Sequence, residues 1–114
     1  MANLTGAKKD NTGLYFVKDS TANVKYGLDF TDYLSANDSL STATVSISTI
    51  SGDASPLAFP TNMATNVTIA GAVVSIRLRT GTNNNIYTVT CTVTTANGDT
   101  DTRRFRIKIE DRLL

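Results

Sequence analysis

Residues 86–109, IYTVTCTVTTANGDTDTRRFRIKI, carry a two-residue period on either side of Asn97-Gly98. Successive side chains of a strand point to opposite faces, so a strict alternation fixes which face is buried. Tyr87, Val89, Cys91 and Val93 share one face, and Thr88, Thr90, Thr92 and Thr94 share the other. After the turn, Phe105, Ile107 and Ile109 fall on the apolar face, and Arg104, Arg106 and Lys108 fall outside. Asn-Gly supplies the positive φ angles of a tight hairpin turn. The pattern predicts two long antiparallel strands, and it constrains the fold more than any other stretch.

Five shorter segments repeat the signal. LYFVK (Leu14–Lys18) is a first strand, and VKYGLDF turns Val24, Tyr26, Leu28 and Phe30 to one side. ATVSIST places Val45 and Ile47 together, NVTIA follows, and VVSIRLR points Val74, Ile76 and Leu78 inward and Ser75, Arg77 and Arg79 out. Between the second and third segments, Thr31 or Asp32 can cap a short helical turn that tucks in Tyr33 and Leu34. Thr and Val are abundant, which suits strands because branching at Cβ packs on a pleated surface; Glu occurs once, at Glu110, and Gln is absent. The expectation is all-β: about seven short antiparallel strands in one immunoglobulin-like β-sandwich over residues 14–114, with residues 1–13 as a flexible, extended N-terminal arm. Tyr87 would be its corner tyrosine. A small barrel has the same strand count.

The chain's 114 residues suit one domain. It has no His, so Ser-His and Cys-His nucleophile pairs and His-ligated metals are impossible within one chain. One Cys excludes an internal disulfide, which favours a reducing compartment or indifference to redox. A net charge of +1 lacks the basic excess of a nucleic-acid binder. No apolar run reaches the roughly 20 residues that span a bilayer, and MANLTGAKKDNTG carries no apolar segment of a secretory signal. The sequons at Asn3, Asn37 and Asn66 are then chance products of an Asn- and Thr-rich chain.

The residues that could carry chemistry read more simply as structure. Asn97, Asp99 and Asp101 could present oxygen ligands to Ca²⁺, but they lack the Gly and distal Glu of a calcium loop and are ordinary hairpin residues. Asp29 and Asp32 could pair for acid–base work, but no pocket is visible for them. Cys91 sits in the apolar phase, with no His to generate a thiolate. No catalytic residue, metal ligand or cofactor site is expected. Arg77 and Arg79 on one strand, and Arg103, Arg104, Arg106 and Lys108 on another, are the basic groupings. They suit a solvated edge that blocks strand addition, or a protein interface. Residues 51–64 hold both prolines, with Leu57, Phe59 and Met63 either plugging the core or meeting a partner.

The segment KDSTANVKYGLDFTDYLSANDSL, Lys18 to Leu40, resembles a family of small tailed-phage virion proteins described as fibre-to-tail adaptors. Lys18-Asp19 stand where the family has Lys-Asp, with Ser20 in place of its Pro. Val24 and Tyr26 lie on the following strand. Asp29-Phe30 replaces Asp-Trp, Tyr33-Leu34 replaces Trp-Leu, and Asp38-Ser39-Leu40 replaces Asp-x-Ile. Tyr87-Thr-Val and the Asn-Gly hairpin fit the family's close. The resemblance implies a non-enzymatic part of a bacteriophage virion, assembled in the bacterial host cytoplasm. Such a part would be a neck or tail adaptor that seats fibres or joins neighbouring tail proteins, in repeated copies around a symmetric ring. Its partners would be portal, tail or fibre proteins, with no nucleic acid and no membrane. Leu57, Phe59, Arg77, Arg79, Arg103, Arg104, Arg106 and Lys108 are the candidate interface. A capsid decoration protein would follow the same logic. An adhesive or carbohydrate-binding module would want exposed aromatics, and the chain has no Trp.

Overall fold

In the computed structural model, residues 8–10 and 13–111 are described. The strands are β1 (Lys8–Asp10), β2 (Gly13–Lys18), β3 (Asn23–Asp29), β4 (Leu40–Ile47), β5 (Val67–Ala70), β6 (Val73–Arg79), β7 (Ile86–Thr95) and β8 (Thr100–Ile109), with one helical turn, α1 (Met63–Asn66), before β5. They form a five-stranded sheet in the order β1-β2-β8-β7-β4 and a three-stranded sheet in the order β3-β6-β5. The chain is thus an all-β sandwich, and all seven strands expected from alternation are present. The eighth, β1, pairs antiparallel with β2 and falls within the stretch read as an arm; residues 1–7, 11 and 12 of that stretch lie outside the described residues.

Alternation decided the faces correctly because each strand buries one side only. Buried positions alternate along β7 and through Phe105, Ile107 and Ile109 of β8, and Tyr26, Leu28, Val74, Ile76 and Leu78 meet them from the other sheet. Each fully buried side chain of this size contributes about 1.5–3 kcal/mol. Phe16, Tyr26 and Phe105 tie the layers at one point, with Tyr26 centred 4.7 Å from Phe16 and 5.9 Å from Phe105. The tilted, edge-on contacts suit the ring quadrupoles.

Three local expectations change. The strands are not all antiparallel: β2 runs parallel to β8, with Tyr15 opposite Arg106 and Lys18 opposite Ile109. Parallel pairing needs a long connection, and here almost the whole domain lies between the two strands. The 30–34 segment is a turn, with Tyr33 N and Leu34 N donating to Phe30 O, and Asp29 rather than Thr31 or Asp32 caps it by accepting from Thr31 N at 2.9 Å. Helix instead forms at α1, where Asn62 Oδ1 accepts from Thr65 N at 2.8 Å. Finally, only Gly98 of the hairpin turn has positive φ, at 91°. Gly98 N donates to Thr95 O at 3.0 Å and Thr95 N to Asp99 O at 2.8 Å, so the loop has three residues closed by a glycine bulge. The extra residue lets the Thr95 hydroxyl accept from Asp99 N at 3.1 Å.

The long Pro-containing segment is part of the sandwich. Ala58 pairs with Arg79 through two backbone bonds of 3.0 and 2.8 Å, prolonging the three-stranded sheet in line with β5. Met63 of α1 covers the outer edge of β4, where Val45 N–H meets Met63 Sδ at 3.3 Å. β4 carries no charge of its own to deter strand addition, and α1 supplies the cover instead.

Candidate functional site

The residues weighed for chemistry are built into the frame. Asp29 is held by the Thr31 hydroxyl and amide, which lower its pKa, the reverse of what a general acid at neutral pH needs. Asp101 binds Arg103 Nε at 2.9 Å, so it is committed to an ion pair rather than turned toward a shared cation with Asn97 and Asp99. Among the described residues no His, Cys, Asp or Glu cluster could hold a metal. Cys91 is buried between Val89 and Val93, and burial pushes its thiol up to about 11.

At one end of the sandwich lies a polar lock that the alternation pattern did not reveal. Lys18 follows Phe16 in the inward phase of β2 and is buried, its Nζ donating to Thr80 O at 2.7 Å and Asp19 O at 2.8 Å. Burial lowers its pKa, partly opposed by Asp19 and Asp111. Beside it, Tyr87, the second residue of β7, is fully buried; its hydroxyl accepts from Thr82 N at 3.1 Å and donates to the Asp53 carboxylate. A buried tyrosine hydroxyl bonded to backbone a few residues upstream is the geometry of a tyrosine corner. Thr82 Oγ1 also donates to Asp53, so the loop carrying Asp53 is tied to the 80–85 turn. Leu57, on the same loop, is only 3% exposed and belongs to the core, leaving half-buried Phe59 as the part of that pair nearest the surface.

The basic residues divide between three environments. Arg77 and Arg79 are exposed on the outer face of the three-stranded sheet. Arg103 falls in the inward phase, at the opposite end of the core from Lys18. Its guanidinium lies 4.9 Å from the Phe30 ring centroid and 5.9 Å from that of Tyr33, so it caps the rim of the core. Arg104, Arg106 and Lys108 lie on the outer face of the five-stranded sheet, as their phase requires.

Sequence reasoning missed what surrounds this last group. Across the sheet Tyr15 is in register with Arg106 and Ile86 with Lys108. The Arg106 guanidinium sits 5.6 Å from the Tyr15 ring centroid. Ile86 is half exposed, at 50%, and shares a shallow depression with Tyr15, Arg106 and Lys108. The signal was present: Ile86 is an apolar residue in the outward phase of β7. Only the parallel pairing of β2 with β8 brings Tyr15 beside it. The rest of this face is a Thr carpet from β4, β7 and the start of β8, including a 3.1 Å contact between the Thr92 and Thr102 hydroxyls.

No curated protein matches the chain in sequence. A family model does match, over residues 18–108; its description is Podophage GP4 fiber-tail adaptor protein gp77. The match begins at Lys18, the buried lysine of the polar lock, and ends at Lys108 on the outer basic stripe. It spans both sheets and most of the chain, and the chain therefore belongs to the podophage fibre–tail adaptor family.

Proposed function

We propose that the protein is a non-enzymatic adaptor that seats a fibre protein on the phage tail, working in repeated copies around the tail axis and assembling in the host cytoplasm. The observation that carries this reading is the outer patch on β2, β8 and β7: Tyr15, Ile86, Arg106 and Lys108, extended by Arg104. It joins an exposed aliphatic residue and an aromatic ring to guanidinium groups, the composition enriched at the centre of protein interfaces. It lies on a rigid five-stranded sheet rather than on loops, so it can hold a partner in fixed orientation. A single patch this small binds weakly, and repetition around a ring multiplies it. We also read the scaffold as immunoglobulin-like. β4-β7-β8 in one sheet and β3-β6-β5 in the other follow the C-F-G and B-E-D orders of that fold, and Tyr87 occupies the corner position.

The test is a phage carrying Ile86→Asp together with Arg106→Glu. Both positions are on the outer face, so the purified variant keeps its melting transition. Particles are expected to retain tails but lack fibres in electron micrographs, with the fibre protein left unassembled in the lysate. Fully fibred particles would show that this face does not seat the fibre.

A further inference from the structure

The outer face of the three-stranded sheet carries a row of exposed cations. Lys25 on β3 and Arg77 on β6 are directly opposite in register, and both are exposed. Like charges at directly opposed positions repel. Arg79 extends the cationic row, opposite Asn23. The contact relieving Arg77 is to a neutral group: its Nη1 donates to Asn23 Oδ1 at 3.2 Å. The depression between Lys25 and Arg77 is floored by Thr65, Asn66, Thr68 and Ser75; the Asn66 amide already donates to Thr61 Oγ1 and Asn62 O, which leaves the hydroxyls to face the depression. The acid on this face of β3 is Asp29, four residues from Lys25 and so about 13 Å away. Its carboxylate is already taken by the Thr31 amide and hydroxyl.

The same chain carries the complementary charge at one end of the sandwich. There Asn97 N donates to Asp38 Oδ1 at 3.2 Å, joining the 35–39 loop to the β7–β8 turn. Asp99 is exposed at the base of that turn, opposite Thr95, and Asp32 is exposed next to Tyr33 in the chain. Tyr33 records the crowding: burial first, then Asp101, Asp99 and Asp38, raise the pKa of its hydroxyl. The guanidinium present at this end, Arg103, is engaged by Asp101 and stacked on Phe30 and Tyr33.

We propose that the acidic end of one copy docks on the Lys25–Arg77–Arg79 face of a second copy of this chain. The two surfaces differ, so the contact is heterologous, and such contacts build rings when the rotation between copies closes. Carboxylates of Asp32 and Asp99 would accept charge-assisted bonds from Arg77 and Arg79 and relieve the repulsion with Lys25. This assignment rests on the reading of repeated copies given above, and names the surfaces that join them.

A charge exchange tests it. Sedimentation velocity of the full chain at about 10 mM salt is expected to show self-association that weakens steeply at 0.5 M, as for exposed charges screened by salt. Lys25→Glu/Arg77→Glu and Asp32→Lys/Asp99→Lys should each sediment as monomer, with affinity down at least about tenfold, while their equimolar mixture associates again. Lys25→Thr/Arg77→Thr keeps the strands β-favouring and should also be monomeric, which guards against a misfolded reversal. A wild-type chain that stays monomeric at millimolar concentration, reversed variants that associate like wild type, or a mixture that stays monomeric each overturn the proposal. Copy number in the particle separates the two readings. Several copies in a ring with a failed exchange sink only these surfaces, whereas one copy per particle sinks the ring itself.

Discussion

Replacing Tyr87 by Phe removes one oxygen atom from a side chain with no exposure and leaves its ring in place. That oxygen accepts from Thr82 N at 3.1 Å and from Asn85 Nδ2 at 3.3 Å, and it donates to Asp53. The lost bond to Thr82 N contributes about 1 kcal/mol, and this partly buried N–H left without a partner costs a further 1–3 kcal/mol or so. The expected destabilisation is thus about 2–4 kcal/mol. A domain of this size loses roughly 4 °C per kcal/mol, so Tm should fall by about 8–16 °C. Thermal unfolding followed by circular dichroism measures it. The pH dependence supplies a second readout. Hydroxyls of Thr82, then Tyr87, hold Asp53 below its ordinary pKa. A folded pKa below the unfolded value means stability present above about pH 4 and lost as pH falls through the folded pKa. In Tyr87→Phe the Asp53 carboxyl should titrate higher than in wild type, by carbon-detected NMR, and the stability lost as pH falls below about 4 should be smaller than in wild type, because the folded pKa lies closer to the unfolded one. A Tm within about 3 °C of wild type together with an unmoved Asp53 titration would refute the idea that this hydroxyl locks the 51–58 loop to the 80–85 turn.

Gly81 adopts φ +110°, and a Cβ there would lie 2.6 Å from Ile109 Cδ1, so Gly81→Ala should cost about 2–4 kcal/mol in urea unfolding through backbone strain and overpacking. Cys91, with its thiol raised to about 11 by burial, should resist iodoacetamide at pH 8 in the folded chain and react within minutes in urea, as read by mass spectrometry. Lys18 has a folded pKa below its unfolded 10.5, so the unfolded chain binds more protons between those values, and this lysine adds stability as pH rises through that window. Subtracting the urea-midpoint profile of Lys18→Met from that of wild type should isolate a positive alkaline slope, and a flat difference would show the ammonium to be effectively solvated.

Much of the molecule was legible as alternation. The seven strands, the β7–β8 hairpin, the inward set from Tyr26 to Ile109 and the burial of Cys91 all follow from a two-residue period meeting one buried side. The outward phase of Arg77, Arg79, Arg104, Arg106 and Lys108 followed by the same rule. Arg103 broke the grouping because it is one residue out of phase with Arg104, and so stacks on Phe30 and Tyr33 at the core's rim. The helical turn was misplaced because the Asp29 cap closes a single turn, while Asn62 caps a segment whose composition reads as loop.

Sequence alone determined which way each side chain points, because that depends only on the local geometry of an extended backbone. It determined, through the absence of His and the single Cys, which nucleophile and metal chemistries one chain cannot assemble. Tertiary structure decided who stands next to whom. The parallel seat of β2 on β8 puts Tyr15 beside Arg106 and Ile86, the pairing of β3 with β6 sets Lys25 against Arg77, and the fold's far end turns Lys18 onto the Thr80 carbonyl. These neighbours are separated by tens of residues along the chain, and no periodic signal in either partner encodes the register that brings them together.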